Sequence, residues 1–209
     1  MRSRNDEEKA LRRESLLNAA QKVFFDQGFE QTAMEDISSA AGFSRGLLYV
    51  YFDDKKDIYD AVKVRASQAL KKRMSEYSGQ QTRGIDKVYA CGLAYYHFFR
   101  DDRDYFDCLA HHLSLDNQHP EANSSKPEVA ESELAVMQVM LDAFDTGLKD
   151  GTVNSAAVKN PMESAMFCRG SLHGLILLQS SKVLEKVSLS SEAFVMNALD
   201  RIIDVYRVH

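Results

Sequence analysis

The sequence predicts an all-α fold of about nine helices, and three observations lead to that prediction. Only three prolines and ten glycines occur in 209 residues, so few positions interrupt regular structure. Apolar side chains recur at steps of three and four residues along nearly the whole chain, which is the spacing of one helix face. The alternating apolar pattern of strands, flanked by Gly or Pro, is absent.

Capping residues place the first two helices. The first covers residues 5–27, because Gly28 follows its last apolar position and favours a left-handed C-cap. Residues 32–35 read Thr-Ala-Met-Glu, a capping box that predicts a second helix over residues 33–41. Gly42 breaks that helix.

A third predicted helix, also short, follows Gly42. Ser44 is a good N-cap for a helix over 45–51, and Asp53 or Asp54 caps a longer helix over 54–77. Two short helices joined by a tight glycine-containing turn predict a helix-turn-helix motif. The alternative is an accidental helical hairpin inside a bundle, since helix-Gly-helix segments are common.

Beyond Gly79 the predicted helices lengthen. They lie around residues 85–99, 105–113, 129–144, 161–185 and 191–207. The polar stretch 116–127 predicts a loop, and Gly147 or Gly151 ends the seventh helix. We therefore divide the chain into a small N-terminal domain (1–53), a connecting helix (54–77) and a larger helical body (78–209).

Composition indicates a soluble protein. Hydrophobic residues make up 44% of the chain and charged residues 27%, which is usual for globular proteins. The N-terminus is too polar for a secretory signal, and no apolar run approaches the roughly 18 residues of a membrane span. Cys91, Cys108 and Cys168 lie far apart without CxxC spacing, which indicates buried thiols in a reducing compartment. We expect a cytoplasmic protein without a membrane partner.

The distribution of charge permits a nucleic-acid partner. The net charge is -5, but residues 1–79 hold 14 Lys and Arg against 13 Asp and Glu. The remainder holds 12 against 18, so the acidity is concentrated outside the helix-turn-helix. A local cationic face, rather than total charge, decides phosphate contact.

Residues 32–58 read TAMEDISSAAGFSRGLLYVYFDDKKDI and resemble the N-terminal domain of the TetR (tetracycline-repressor-like) family of bacterial transcriptional regulators. The family pattern T…I…AG.S.G.LY..F..K…L is matched at Thr32, Ile37, Ala41, Gly42, Ser44, Gly46, Leu48, Tyr49, Phe52, Lys55 or Lys56, and Ile58. The resemblance covers about residues 12–62, and the remainder matches only in length and helical layout. A match in register over this many positions argues against the accidental hairpin.

The resemblance implies that the helix over 45–51 enters the major groove of DNA. The predicted DNA-binding residues are Thr32, Ser44, Arg45, Gly46, Leu47, Tyr49, Val50, Tyr51 and Lys55. Arg45 can donate two hydrogen bonds to guanine, and Gly46 allows the backbone to approach the DNA closely. Leu47 and Val50 depart from the family's usual residues and suggest either apolar contact with thymine methyl groups or fewer hydrogen bonds to DNA.

Other members of this set have structural alternatives. Thr32 and Lys55, at the N-termini of two helices, suit flanking phosphates, while Tyr49 and Tyr51 carry hydroxyls for phosphates or sugars. Thr32 and Ser44 act as caps whatever else they do. Leu48 and Phe52 are interpreted as core residues.

The last two helices carry adjacent apolar stripes. The resemblance implies that they pair with those of a second copy as a four-helix bundle, while the alternative is that they close the chain's own core. The predicted dimer interface comprises Leu172, Leu175, Ile176, Gln179, Val195, Leu199, Ile202 and Tyr206. A two-fold dimer would place two recognition helices roughly 34–36 Å apart on a palindromic operator.

Aromatic residues and methionines concentrate in the helices of the body and suit a pocket for a bulky, mostly apolar effector. The predicted pocket residues are Tyr95, Phe99, Phe106, His111, Met137, Met140, Phe144, Met166, Phe167, Arg169 and His173. The alternative is an aromatic core without a cavity. Cys108 with His111 and His112 has ligand-like spacing, but no repeated metal signature occurs, so we expect neither metal nor cofactor.

The resemblance implies a repressor that binds double-stranded operator DNA as a homodimer and is released by a small-molecule effector. One rival is an effector-independent, architectural DNA-binding dimer. The other is a helical enzyme, for which no Ser-His-Asp ordering, phosphate loop or cofactor motif occurs. We therefore expect no enzymatic activity.

Overall fold

The computed structural model describes residues 4–115, 126–180 and 191–208. Within these ranges the chain forms nine helices: α1 Arg4–Gln27, α2 Met34–Ala41, α3 Arg45–Tyr51, α4 Lys55–Gly79, α5 Gly84–Asp101, α6 Arg103–Leu115, α7 Pro127–Lys149, α8 Pro161–Ser180 and α9 Ser191–Asp204. The predicted all-α fold is confirmed. Most of the predicted polar loop, and the end of the helix predicted over 161–185, lie outside the described residues.

The end of α9 differs from the prediction. The helix stops at Asp204 rather than at 207, because the following residues pair elsewhere. Arg207 forms an isolated antiparallel bridge with Val153, and the Tyr206 carbonyl accepts a hydrogen bond from the Asn154 amide at 2.8 Å. No helix in the described part of the chain is both long and apolar enough to cross a membrane.

The predicted capping box of α2 is displaced by one residue. Its N-cap is Ala33, whose amide donates to Oδ2 of Asp36 at 2.8 Å, so Asp36 rather than Glu35 closes the first turn. The Thr32 hydroxyl instead donates to the Gly28 carbonyl at 2.7 Å and satisfies the end of α1. The prediction that Thr32 caps α2 was therefore wrong.

The turn between α2 and α3 follows the prediction. Gly42 adopts a left-handed conformation (φ 69°), and the amide of Phe43 donates to the Ser38 carbonyl at 3.0 Å. Ser44 then caps α3, its side chain accepting from the Leu47 amide at 3.3 Å. Asp54, one of the two candidates, caps α4 by accepting from the Asp57 amide at 2.8 Å.

The described residues of 1–66 and 108–130 form one compact unit. Its core is built from α1, α2, α3, the first half of α4 and one residue of α6. The largest buried side chains in it are Leu16, Phe24, Ile37, Leu48, Phe52, Ile58 and Val62, with Cys108 beside them. Leu48 and Phe52 are core residues, as predicted.

The described residues of 67–107 and 131–209 form the second compact unit. Its core includes residues of α4, α5, α7, α8 and α9, among them Met74, Val88, Phe144, Leu172 and Leu199. The glycine ending α7 is Gly151, which is left-handed (φ 73°), and not Gly147, which lies inside the helix. Gly92 packs against Leu199, where a β-carbon would meet a leucine methyl group.

Candidate nucleic-acid interface and cavity

One face of α3 points away from the core of its unit. Leu48 and the following Phe52 anchor the helix because both are buried. Arg45, Gly46, Tyr49 and Val50 are exposed on the other side, and we call these four residues the outer face of α3. Val50 is 74% exposed and the neighbouring Tyr49 is 45% exposed, so the outer face of α3 presents apolar surface beside the guanidinium of Arg45.

Arg45 is held in a small exposed network. Its Nη1 pairs with the carboxylate of Glu35, and its Nη2 donates to the Tyr49 hydroxyl at 3.3 Å. The hydrogen bond with Tyr49 and the charge of Glu35 raise the pKa of Arg45 above its ordinary value. Because both partners are exposed, the ion pair adds little stability, and the guanidinium can exchange it for a base edge. The sequence did not predict that Glu35 pairs with Arg45, because the pairing crosses the turn between two helices.

The remaining predicted contacts on α3 are less exposed. Leu47 and Tyr51 are both partly buried, and Tyr51 packs against the core of its unit. Ser44 is exposed while it caps the helix. Ser44 and Tyr51 therefore have structural roles in addition to their predicted DNA contact.

Thr32 and Lys55 are both engaged in the turn that follows α1. Thr32 is only 3% exposed, with its hydroxyl bonded to Gly28 as described above. The Lys55 ammonium donates to the carbonyls of Phe29 at 2.8 Å and Glu30 at 3.3 Å, and lies 4.4 Å from the centre of the Phe29 ring. In this conformation both side chains hold the turn together rather than facing solvent.

A cavity of about 30 Å³ lies in the second unit. Its lining residues are Met74, Cys91, Gly92, Tyr95, Val136, Met137, Met140, Ala165, Cys168, Arg169, Leu172, Leu199 and Ile203. Four predicted pocket residues are among them: Tyr95, Met137, Met140 and Arg169. This volume holds about two water molecules, so the cavity is too small for an effector molecule in this conformation.

Tyr95 and Arg169, which line the cavity, form a polar group with His173, which lies beside Tyr95 and is not a lining residue. The Tyr95 hydroxyl lies 2.8 Å from Nδ1 of His173, and burial raises the pKa of Tyr95 to about 12, partly offset by the charge of Arg169. Burial, with the charge of Arg169, lowers the pKa of His173. At neutral pH the phenol is therefore un-ionised, His173 is uncharged and Arg169 carries the positive charge of the group.

The other predicted pocket residues whose side chains the structure describes do not line this cavity. Phe99 and Phe106 are buried beside it, their ring centres 5.1 Å apart, and Phe106 also packs on Tyr95 and His173. Phe144 packs on Tyr206 at 5.1 Å. Two more, Met166 and Phe167, are about half exposed on α8. The side chain of His111 lies outside the described residues.

Most of the predicted dimer residues are buried inside the chain itself. Leu172, Ile176, Val195, Leu199 and Tyr206 have almost no exposed surface, so they belong to the core of the second unit. Leu175, Gln179 and Ile202 are partly exposed, and Gln179 donates to the Tyr96 hydroxyl at 3.2 Å.

A different apolar face of α8 is exposed. Its residues are Met162, Met166, Phe167, Gly170, Gly174, Leu177 and Leu178, which we call the outer face of α8. A β-carbon on Gly170 or Gly174 would meet nothing within 4 Å, so another helix can approach closely there. Because α8 is apolar on two sides, its sequence alone does not indicate which side faces the core.

All three cysteines are buried, as predicted. Burial raises the pKa of Cys91 and Cys168 to about 12 and that of Cys108 to about 11, so the thiols are protonated at neutral pH. The described residues contain no group of three or more His, Cys, Asp and Glu side chains with metal-binding geometry. The side chains of His111 and His112 are outside that part of the chain.

Comparison with known sequences identifies relatives of the N-terminal unit. Residues 16–62 match the family model of bacterial regulatory proteins, tetR family. The chain is 40% identical over 63 residues to the transcriptional repressor BepR of Brucella suis, covering 30% of each protein. It is 28% identical over 140 residues to the transcriptional activator FasR of Mycolicibacterium smegmatis, covering 66% of this chain and 60% of FasR. The matches thus span less than two thirds of either relative.

Known structures share the fold over nearly the whole chain. A putative TetR-family regulator from Mesorhizobium loti has a TM-score of 0.70 at 16% identity and covers 99% of this chain and 100% of its own. The regulator FadR of Bacillus subtilis, in complex with stearoyl-CoA, also has a TM-score of 0.70 at 16% identity and covers 93% of this chain and 98% of its own. At this identity the similarity concerns the fold alone.

Proposed function

Because the chain belongs to the TetR family of bacterial transcriptional regulators, we propose that it is a sequence-specific DNA-binding repressor. A homodimer covers a palindromic double-stranded operator, and a small, largely apolar or aromatic effector releases it. The proposal assigns DNA binding to residues 1–53, the connection to residues 54–77, and ligand binding and dimerisation to residues 78–209. The compact units divide the chain differently, because their boundary lies within α4 and the described residues of 108–130 belong to the first unit.

The outer face of α3 is the observation that carries this proposal. Arg45 reads guanine by exchanging its pairing with Glu35 for the O6 and N7 acceptors of the base. Val50 and the ring of Tyr49 contact thymine methyl groups, since both are exposed and largely apolar. Gly46 carries no side chain, and open space lies where its β-carbon would be, so the helix backbone approaches the base edges.

The outer face of α8 is the dimer surface in this proposal. It replaces most of the residues predicted from the sequence, because those are buried in the chain's own core. Exposed contiguous apolar surface around two glycines suits close helix–helix packing against the same face of a second copy. A two-fold arrangement then presents two outer faces of α3 to the two halves of a palindrome.

Effector control acts through α4 in this proposal. Met74 of α4 lines the cavity, while Ile58 and Val62 of the same helix lie in the core that anchors α3. An effector that moves Met74 acts on a helix whose other half supports the DNA-reading helix. Release requires the effector to bind the DNA-free state more tightly than the bound state.

The second candidate is an effector-independent DNA-binding dimer. The observation favouring it is the size of the cavity, which at about 30 Å³ is far below the several hundred Å³ typical of small-molecule sites. Under this alternative the walls stay closed and no small molecule changes the affinity for DNA.

Selection of bound DNA from a random pool tests the proposed function. Wild type is expected to enrich a palindrome, and Arg45→Ala is expected to bind it about tenfold or more weakly, with relaxed preference at one position of each half-site. Arg83→Ala, which removes an equally exposed arginine far along the chain from α3, is the matched control and should leave the selection unchanged. An absence of any enriched site, or an equal effect of both variants, contradicts the proposal.

A further inference from the structure

The two residues with polar side chains that line the cavity are also its two partly exposed lining residues. Eleven of its thirteen lining residues are buried, and all eleven are apolar residues, glycine or cysteine. The other two, Tyr95 and Arg169, are partly exposed. We call this pair the mouth of the cavity, because these are the lining residues that have solvent-exposed surface.

The positive charge at the mouth has no acidic partner there. Arg169 lies near enough to Tyr95 for its charge to lower the pKa of the phenol, and no carboxylate among the residues that the structure describes forms an ion pair with Arg169. His173, the neighbouring titratable group, is neutral at pH 7 because burial and Arg169 lower its pKa. An arginine that lines an apolar cavity without an acidic partner favours an anionic ligand.

We propose that the effector is an amphiphile with one anionic head group and an apolar body. Arg169 and the Tyr95 hydroxyl bind the head at the mouth, and the apolar body enters the cavity between α4, α5, α7 and α8. The inference rests on the proposed function, because it names the ligand class of the same cavity. It goes further in requiring the charge, which an apolar or aromatic effector does not need.

Such a ligand must enlarge the cavity, and three methionine side chains in its wall can change conformation to make room. Met74, Met137 and Met140 line it, and unbranched thioether side chains repack more readily than branched ones. Met137 and Met140 lie on α7, while Met74 lies on α4. Filling the cavity therefore displaces a residue of the helix that we propose to connect effector and DNA binding.

Calorimetric titration of the full chain with three ligands of equal chain length tests the charge requirement. Decanoate is expected to bind about tenfold or more tightly than decanol, because a charge-assisted bond replaces a neutral one. Decyltrimethylammonium is expected to bind more weakly than decanol, since it places like charge beside Arg169. Decyl phosphate is anionic but has no carboxylate, so its binding shows whether any anionic head group is sufficient.

Variants test whether the mouth of the cavity is responsible for the preference for decanoate over decanol. Arg169→Gln is expected to abolish the preference for decanoate over decanol, Arg169→Lys to keep part of it, and Arg201→Gln on α9 to leave it unchanged. Equal binding of decanoate and decanol by wild type overturns the inference, as does an unchanged preference in Arg169→Gln. Failure of both decanoate and decyl phosphate to bind overturns it as well.

The two proposals fail separately. If decanol or an aromatic compound releases the selected operator while decanoate binds no better, the effector mechanism stands and the anionic head group is wrong. If no operator is selected although decanoate binds through Arg169, the ligand class stands and the DNA-reading function is wrong.

Discussion

The backbones of Gly84 and Gly147 are in direct contact. A β-carbon on Gly84 would overlap the amide nitrogen and α-carbon of Gly147. The contact brings the first residue of α5 against the last turn of α7, and the chain beyond α7 then caps α5. Oδ2 of Asp150 accepts from the Gly84 amide at 2.7 Å, and the Thr152 hydroxyl accepts from the Ile85 amide at 3.1 Å. The two helices that carry Tyr95 and Met140 are therefore fixed at one end.

Gly84→Ala is expected to destabilise the protein. The added methyl group meets backbone atoms, which cannot rotate away, so the free energy of unfolding should fall by about 1–3 kcal/mol. Gly79→Ala is the control, because a β-carbon there meets nothing within 4 Å and alanine favours a helix. Thermal unfolding followed by circular dichroism measures both. If Gly84→Ala is as stable as the control, α5 and α7 can move apart without lowering the free energy of unfolding.

The local features of the N-terminal unit were predictable from the sequence because short-range rules determine them. The cap at Ser44, the left-handed Gly42 and the apolar spacing of Leu48 and Phe52 depend on neighbours within a few residues. The capping box was misplaced by one residue because Thr32 and Ala33 both precede α2. Two hydrogen bonds distinguish them: Thr32 donates to Gly28, and the amide of Ala33 donates to Asp36.

Long-range packing decided the features that sequence reasoning missed. Leu172 and Leu177 lie on the same helix and are equally apolar, yet one is buried and the other exposed. Which side of α8 faces the core depends on α5 and α9, which pack against it. The pairing of Glu35 with Arg45 likewise crosses a turn and leaves no mark in either local pattern.

The outer face of α8 leads to a prediction about assembly. Leu177→Glu is expected to convert a dimer into a monomer, because it places a charge in apolar surface against a symmetry mate. Leu134→Glu on α7 is the matched control, since Leu134 is 62% exposed against 51% for Leu177. Analytical ultracentrifugation of both variants measures the association state. Monomers from both changes, or from neither, would place the interface elsewhere.

The titration of His173 is expected to report the charge of Arg169. Burial and then Arg169 lower the pKa of His173 below its ordinary 6.5, so an NMR titration should give a midpoint below that value. Arg169→Gln should raise the midpoint only in part, because burial remains. Since the folded-state pKa is the lower one, the stability contribution of His173 is present above pH 6.5 and is lost as pH falls. An unchanged midpoint in Arg169→Gln would show that the charge of Arg169 does not affect the pKa of His173.

Lys63 and Asp60 form a buried ion pair inside the first unit. Nζ of Lys63 lies 2.6 Å from Oδ1 of Asp60, and both side chains are at most 4% exposed. Lys56 pairs with the other oxygen of Asp60 at 3.1 Å but is 37% exposed. Lys63→Met leaves Asp60 with less compensation in a buried site, so the free energy of unfolding should fall by about 3 kcal/mol. Lys56→Met removes an equal charge from the same carboxylate but should cost less than about 1 kcal/mol, because water screens that pair. Urea unfolding of the two variants compares them directly, and equal losses would mean that burial does not determine the strength of this pair.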